Sequence, residues 1–331
     1  MKKIKKLKEN SFFKAKFIQI CRWLGYEIID QNSFEVPTLN KNLNESLGVA
    51  GKKSISIPLG EVKITRKVKS LTVYFRSCAK VHLWNQNKER IFGESKTEYS
   101  LRSLKSVLES MTYVQKNINT INLKVIVIDD NSGSNFLSEQ NKLVNKYNIK
   151  NNIISLDENE FKDITQDTNF ASIYKSYTHA KEKADDLIYF VEDDYIHENI
   201  ALHEMLLAYE RISSQLKKEI IMFPVDYPYL YAHHSPTYIM LGNKRHWRQI
   251  DQSLATLLVS KHHLIQYWNN FLEFATVISD PAEKPLHQIY EIEPCFSPIP
   301  SLALHCTNIN SIFGLSPNMD WKKIWEQNKN Y

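Results

Sequence analysis

Strand patterns alternate with helical patterns from residue 70 onward, and this alternation constrains the fold more than any other feature. Short apolar runs rich in β-branched and aromatic residues predict strands; they lie at 71–75, 123–128, 152–155 and 186–191. Apolar residues at three- and four-residue spacing predict helices between them; these are 98–118, 135–148 and 168–184. Strand–helix–strand order predicts a parallel sheet with right-handed crossovers, in an α/β fold.

The first part of the chain has a different character. The segment 1–16 carries seven lysines and one glutamate, and residues 10–26 have the spacing of an amphipathic helix with aromatic residues on one face. The stretch that follows is polar and mixed, with short alternating runs. We therefore predict an N-terminal appendage, with a basic helix and some β-structure, over 1–68 and a single α/β domain over 69–331.

Composition and charge exclude several classes of protein. The formal net charge of +5 is too small for a dedicated nucleic-acid binder, so we expect no nucleic-acid partner. The four cysteines form no C-x-x-C pair, which argues against a disulfide framework or a zinc site and fits a reducing compartment. Neither a transmembrane run nor a signal-peptide pattern is present. We expect a cytoplasmic protein; its basic helix either contacts the inner face of an anionic membrane or docks on the main domain.

Acidic residues follow two of the predicted strands, at the point where each strand ends. Asp129-Asp130 follows one apolar run, and Glu192-Asp193-Asp194 follows another. Ligands of parallel α/β sheets bind outside the carboxyl ends of the strands. Adjacent carboxylates repel one another, and Mg²⁺ or Mn²⁺ relieves that repulsion with oxygen ligands. The alternatives are a solvated acidic turn at the second cluster and, at the first, an Asx turn with Asp130 or Ser132 as a helix N-cap.

The order of these motifs resembles a known family. Arg76-Ser77-Cys78 after the first strand, then V-I-V-I-D-D-N-S and I-Y-F-V-E-D-D-Y, is similar to the GT-A fold of family 2-like glycosyltransferases, over about residues 70–315. The resemblance implies a three-layer αβα sandwich and a metal-dependent transferase. The resemblance also implies that the donor is a nucleotide sugar of the UDP or GDP type. In this family the second acidic strand end is a D-x-D motif that binds ribose and metal. Here that motif is E-D-D, with Glu in place of its first Asp.

The resemblance also implies roles for individual residues. Residues expected to contact the nucleotide sugar are Arg76, Ser77, Asp129, Asp130, Ser172, Ser176 and Asp193. The expected ligands of Mn²⁺ or Mg²⁺ are Glu192, Asp194 and His305, which ends the short apolar strand 300–305. A histidine ligand suits Mn²⁺ better than Mg²⁺.

An inverting transferase needs a carboxylate that takes the proton from the acceptor hydroxyl. Asp280 and Glu283 are the candidates, because they precede a predicted helix in the region where the family carries its base. The alternative is that Asp280 caps that helix, with Pro281 in its first position and Glu283 in its third. Upstream, the stretch D-Y-P-Y-L-Y-A-H-H, with Trp247 and Arg248, could stack on an acceptor sugar or form a packed loop.

Several functions therefore remain in competition. We expect an inverting glycosyltransferase that acts on a hydroxyl of a glycan or a lipid-linked glycan. The alternatives are a retaining transferase on the same fold and a carbohydrate- or membrane-binding protein whose catalytic site has lapsed. A nucleotidyltransferase is disfavoured because the residues after the first strand, F-R-S-C-A-K-V-H-L, contain no glycine. A dinucleotide-dependent oxidoreductase is disfavoured because no strand is followed by G-x-G-x-x-G.

Overall fold

The computed structural model divides the chain into two compact units, 1–62 and 63–331. The residues that it describes are 12–13, 16–26, 62–79, 90–157, 168–232, 237–307, 311–329 and 331. In the smaller unit residues 16–23 are helical, inside the helix predicted over 10–26. The predicted β-containing part of the appendage lies almost wholly outside the described residues, and the domain boundary at 68 and 69 stays a prediction. No helix of the described residues has the length and apolar character needed to cross a bilayer.

Strands of the larger unit form one main sheet and one small ribbon. In chain order they are β1 Ser70–Ser77, β2 Asn122–Asp129, β3 Lys150–Ser155, β4 Leu187–Glu192, β5 Tyr195–His197, β6 Ile221–Met222, β7 Ile239–Leu241, β8 His246–Ile250, β9 Leu257–Ser260, β10 Cys295–Ile299 and β11 Ala303–His305. The main sheet has the order β3-β2-β1-β4-β9-β6-β10-β8-β7, and β11 pairs with β5 in the ribbon. Strands β8 and β9 run against the rest of the main sheet. The predicted mostly parallel sheet is confirmed.

Helices pack in two groups. In chain order they are α1 Lys96–Asn117, α2 Ser134–Asn145, α3 Thr168–Lys183, α4 Ala201–Leu216, α5 Lys261–Gln266, α6 Trp268–Thr276, α7 Lys284–Tyr290 and α8 Trp321–Gln327. Helix α1 packs against α2 and α4, while α3 packs against α5 and α6, and α6 against α7. With the sheet, the two groups make the three layers of an αβα sandwich, so the expected three-layer α/β architecture is confirmed.

Local sequence explains the elements that position the site. Every residue of β1 is buried, as expected for a central strand with helices on both faces. Helix α1 begins after Ser95, whose hydroxyl accepts a hydrogen bond from the Glu98 backbone N–H at 3.3 Å. Its apolar face is buried as predicted and consists of Leu101, Leu104, Val107, Leu108 and Met111.

Two helices begin at other residues than the N-caps considered as alternatives. Helix α2 is capped by Gly133, whose φ of 99° favours glycine, instead of by Asp130 or Ser132. Ser132 is engaged elsewhere, because its N–H and its hydroxyl both donate to Asp129. Helix α7 begins at Lys284, and its first carbonyl acceptor is Glu283, so Asp280 is not its N-cap.

Further downstream, the structure defines three features that the sequence left open. Residues 261–276 form two helices, because the Tyr267 backbone leaves the helical conformation between α5 and α6. The strand that ends in His305 belongs to the ribbon instead of the main sheet, since its partner is β5. Trp247 is fully buried, and its indole N–H donates to Glu204 at 3.3 Å, so it does not present a face for sugar stacking. His233 and His234 lie outside the described residues.

Candidate active site

The two acidic strand ends lie side by side at one edge of the main sheet. In the strand register Ser77 of β1 is the partner of Asp129 of β2, and Arg76 is the partner of Glu192 of β4. Carboxyl ends of parallel strands share an edge of the sheet, and this is the arrangement expected of a GT-A-like fold. The structure therefore brings together the two motifs that the sequence places some sixty residues apart.

Asp129 closes a turn at the end of β2. It is fully buried and accepts hydrogen bonds from the Ser77 hydroxyl at 3.0 Å, the Ser132 N–H at 3.0 Å and the Ser132 hydroxyl at 2.6 Å. Ser77 in turn accepts from Gln140 Nε2 at 2.9 Å, and its carbonyl accepts from the Asp130 N–H at 2.8 Å. These contacts give Asp129 and Ser77 a structural role at this edge; their contact with a nucleotide stays a prediction.

Arg76 ties the first residue of the acidic motif to helix α3. Its guanidinium donates to Glu192 Oε1 at 2.8 Å, and to Asn169 Oδ1 and Ser172 Oγ at 3.1 Å each. Burial raises the pKa of Glu192 above its ordinary value, although the Arg76 charge acts in the opposite direction. The Ser176 hydroxyl donates to the Ser172 carbonyl of its own helix at 2.7 Å. Arg76 thus fixes Glu192, and the predicted nucleotide contacts of Arg76, Ser172 and Ser176 stay predictions.

Lys96, the first residue of α1, pairs with the middle carboxylate of the motif. Its ammonium donates to Asp193 Oδ1, while the Cys78 backbone N–H donates to Asp193 Oδ2 at 3.1 Å. Burial alone would lower the pKa of Lys96, but the charges of Asp193 and Asp194 raise it. A cation from a helix start therefore compensates the second carboxylate, as Arg76 compensates the first.

The third carboxylate faces the predicted histidine. His305 Nε2 lies 3.6 Å from Asp194 Oδ2, and His305 Nδ1 lies 2.7 Å from the Phe313 carbonyl oxygen. Because a carbonyl can only accept, Nδ1 carries a hydrogen and Nε2 faces the carboxylate. The Cys306 N–H donates to the Asp194 carbonyl at 2.8 Å, and the imidazole stacks on Tyr195 with ring centroids 4.5 Å apart. Strands β5 and β11 thus hold both side chains in fixed positions.

Charges of the pair shift both pKa values. Burial alone would raise the pKa of Asp194, but the charge and hydrogen bond of His305 hold it well below its usual range. Burial alone would lower the pKa of His305, but Asp194 raises it. Each member of the pair therefore favours the charged form of the other.

These residues fit a divalent ion that is bound partly by the chain and partly by its substrate. Asp194 Oδ1 is buried and has no hydrogen-bond partner in the described structure, which leaves an oxygen available as a ligand. His305 donates its Nδ1–H to a carbonyl, the usual second contact of a histidine that binds metal through Nε2. The described residues contain no ready-made group of three His, Cys, Asp or Glu ligands, and Glu192 is held by Arg76. Mg²⁺ and Mn²⁺ commonly take one or two protein ligands, with phosphate oxygens and water as the others.

Of the two candidate bases, Glu283 is the one with an electrostatic link to the acidic motif. Its charge contributes to the raised pKa of Glu192 and to that of Tyr177. Glu283 is half-buried and makes no side-chain capping bond, and burial raises its pKa. Asp280 is exposed. Burial and charge therefore favour Glu283, and the assignment of either residue stays a prediction.

Sequence reasoning missed two contributors to the site, Lys96 and Phe313. The signal for Lys96 was available, because Ser95-Lys96-Thr97-Glu98 has the S-x-x-E spacing of a capping box and so marks a helix start. Phe313 contributes only a backbone carbonyl, which no side-chain pattern reveals.

No family model matches this chain, and no curated protein matches it. Solved structures do match. TarS of S. aureus is 11% identical over 69% of this chain, with a TM-score of 0.38, and the match spans 35% of the TarS chain. A UDP-glucose pyrophosphorylase solved with UDP-glucose is 7% identical over 72% of this chain and 93% of its own, with a TM-score of 0.39.

The galactosyltransferase LgtC, solved with donor and acceptor sugar analogues, is 7% identical over 68% of this chain and 72% of its own, with a TM-score of 0.32. All three likenesses are distant and assign no activity to this chain.

Proposed function

We propose that this chain is a metal-dependent glycosyltransferase that moves a sugar from a nucleotide-diphosphate sugar to a hydroxyl of a glycan or lipid-linked glycan. The observation that carries the proposal is the pair Asp194 and His305 at the carboxyl edge of the sheet. One oxygen of this pair is buried and has no hydrogen-bond partner in the described part of the chain, and a nitrogen is oriented by a carbonyl. Such a pair suits an ion that a diphosphate would complete.

In this proposal the residues at the carboxyl edge of the main sheet have different roles. Asp194 and His305 hold Mn²⁺ or Mg²⁺, which supplies charge neutralisation for the departing diphosphate. Arg76 and Lys96 keep Glu192 and Asp193 in place, so that the carboxylates do not repel the donor. Asp193 and the end of β2 contact the nucleotide.

Glu283 acts in the proposal as the general base. Burial raises its pKa, which makes it a stronger base than an exposed carboxylate. It takes the proton of the acceptor hydroxyl as that oxygen attacks the anomeric carbon, and the nucleoside diphosphate leaves from the opposite face. The anomeric configuration is therefore inverted. A product that keeps the donor's configuration would assign the chain to the retaining class instead.

Thermal unfolding in the presence of nucleotide sugars tests the proposal. We expect one UDP- or GDP-sugar to raise the unfolding temperature with Mn²⁺ and not with EDTA, and both Asp194→Asn and His305→Gln to remove this effect. The matched control is Asp185→Asn, since Asp185 is exposed and precedes β4 at its opposite end. Stabilisation that survives EDTA and both substitutions would refute the metal site. Binding of metal and sugar nucleotide without transfer or hydrolysis would identify a lapsed enzyme.

Peripheral membrane contact belongs to the same proposal. The seven lysines of segment 1–16 and the aromatic face of the following helix suit an anionic lipid surface. Sedimentation with phosphatidylglycerol vesicles measures this contact. We expect binding of the full chain at low salt, and loss of binding when the lysines of segment 1–16 are replaced by glutamine. Equal binding of both chains would show that the arm does not anchor the protein.

A further inference from the structure

A cavity lies near the proposed catalytic centre. Its volume is about 420 Å³, within the range of small-molecule sites. It is formed by the short helix Pro228–Tyr231, strand β8 with the residues after it, and the end of α7. The side chains that carry the argument are Tyr229, Tyr238, Arg248, Gln249, Asp251 and Tyr290.

The lining combines aromatic faces with hydrogen-bonding groups. Tyr238 is 74% exposed, so its ring is available to a ligand, and Tyr229 is held in place by its hydroxyl, which donates to the Gln252 carbonyl at 2.7 Å. Among the described residues, the Asp251 carboxylate and the Gln249 amide have no hydrogen-bond partner in the protein. Aromatic rings accept the C–H face of a sugar, while a carboxylate and an amide bind its hydroxyls.

Charge at the cavity favours an uncharged ligand. The Arg248 guanidinium is already paired with Asp226 and lies over the Tyr231 ring at 4.6 Å. Asp251 therefore adds a negative charge that no described cation of the lining compensates. Carboxylated or phosphorylated sugars would be repelled, whereas a neutral saccharide would not.

The cavity wall also contacts the catalytic centre. The Tyr229 ring packs against Phe313 with centroids 5.1 Å apart, and the Phe313 carbonyl is the acceptor that orients His305. On its other side Tyr229 neighbours Tyr227, with centroids 6.0 Å apart, and Tyr227 lies 6.1 Å from the His305 ring. A ligand in the cavity is thus within a few side chains of the proposed reaction centre.

We propose that this cavity is a subsite for a neutral, hydroxyl-rich saccharide unit of the acceptor, held on Tyr238 and Tyr229 and hydrogen-bonded by Asp251 and Gln249. This inference rests on the proposed glycosyl transfer, since it names the acceptor as a neutral glycan. The subsite binds a unit beyond the one that reacts, so that the acceptor chain is oriented toward the proposed reaction centre at His305.

Direct binding to the full chain tests the subsite. The probes are lactose, cellobiose and chitobiose, with 3′-sialyllactose as the anionic counterpart, and UDP with Mn²⁺ as an independent probe of the donor site. Isothermal titration gives dissociation constants, and saturation-transfer NMR shows which protons face the rings. Tyr238→Ala removes the ring but keeps the backbone carbonyl that accepts from Gln249, whereas Tyr238→Phe keeps the ring. Tyr26→Ala, at an exposed tyrosine that does not line the cavity, is the matched control.

We expect at least one neutral disaccharide to bind the native protein. Tyr238→Ala should weaken it about fivefold, or about 1 kcal/mol. Tyr238→Phe and Tyr26→Ala should bind it as the native protein does. Asp251→Asn should weaken it about threefold through the loss of a charged hydrogen-bond acceptor. UDP affinity should be the same in all variants, which also shows that each is folded.

Each other outcome is decisive. Binding of UDP without any neutral disaccharide, or tighter binding of 3′-sialyllactose, would overturn the subsite and leave the proposed transferase standing. Disaccharide binding that Tyr238→Ala does not weaken would place the sugar elsewhere and also overturn the subsite. Disaccharide binding in the absence of any UDP or nucleotide-sugar binding would overturn the donor site, and with it the acceptor role of the cavity.

Discussion

Replacing Lys96 by methionine probes how the acidic edge of the sheet is compensated. The substitution keeps an unbranched side chain of similar length but removes the ammonium that pairs with Asp193. Of its contacts with described residues, Asp193 would then retain the Cys78 N–H, at 3.1 Å, and its charge would no longer be paired with Lys96. We expect a less stable protein that gains more from a divalent cation than the native protein does.

The size of the effect follows from the burial of the pair. Removing one partner of a buried ion pair costs about 3–5 kcal/mol, because the other charge stays buried. The Lys96 and Asp193 side chains retain 14% and 9% of their exposure, so we take the lower end, about 3 kcal/mol. In a domain of this size about 1 kcal/mol changes the unfolding temperature by about 2 °C, which gives a fall of about 6 °C without metal.

Thermal unfolding with EDTA and with saturating Mn²⁺ measures both effects. The added negative charge should make the rise caused by Mn²⁺ larger in Lys96→Met than in the native protein. Lys142→Met on α2 is the matched control, because Lys142 is exposed, and it should change neither value. The double variant Lys96→Met/Asp193→Asn removes the uncompensated charge and should recover most of the lost stability. An unfolding temperature of Lys96→Met equal to that of the native protein would refute the reasoning. A double variant no more stable than the single one would refute it as well.

Two further predictions concern the base and the acid stability of the domain. Glu283→Gln should lower the transfer rate by at least about a hundredfold while Mn²⁺-dependent UDP binding is kept. Asp280→Asn should change the rate less than about twofold. Steady-state kinetics measure both rates, and a larger loss in Asp280→Asn would make Asp280 the base. Burial alone would raise the pKa of Glu219, but hydrogen bonds from Arg66 and Tyr209 lower it to about 2. The contribution of Glu219 to the free energy of unfolding is therefore complete above the unfolded pKa of about 4.5 and is lost as the pH falls toward 2. Urea unfolding should show Glu219→Gln less stable than the native protein by about 2 kcal/mol at pH 7, and the difference should vanish at about pH 2; a constant difference would contradict this.

Much of the central sheet was predictable because its strands are continuous apolar runs. Strands β2 and β4 each end one residue after the apolar run ends, so the positions of Asp129 and Asp194 follow directly from the sequence. Parallel pairing then brings these positions to one edge. Short-range pattern and sheet chemistry were sufficient for this part of the site.

Other features depended on contacts that no local pattern encodes. The three-residue strand ending in His305 is too short to reveal that its partner is β5 and not the main sheet. Helix α7 starts at Lys284, three residues after Pro281, because its N-cap is Glu283 and not Asp280. The pairing of Lys96 with Asp193 joins a helix start to a strand end nearly a hundred residues away.

The ribbon formed by β5 and β11 also has a consequence for how the protein is made. Its two strands come from distant parts of the chain, so their pairing closes a long loop and is expected late in folding. A nascent chain emerging from the ribosome can assemble β1, β2 and β4 before residues 303–305 have been synthesised. Under the proposed function, ion binding by Asp194 and His305 therefore has to wait until residues 303–305 have been synthesised and β11 has paired with β5.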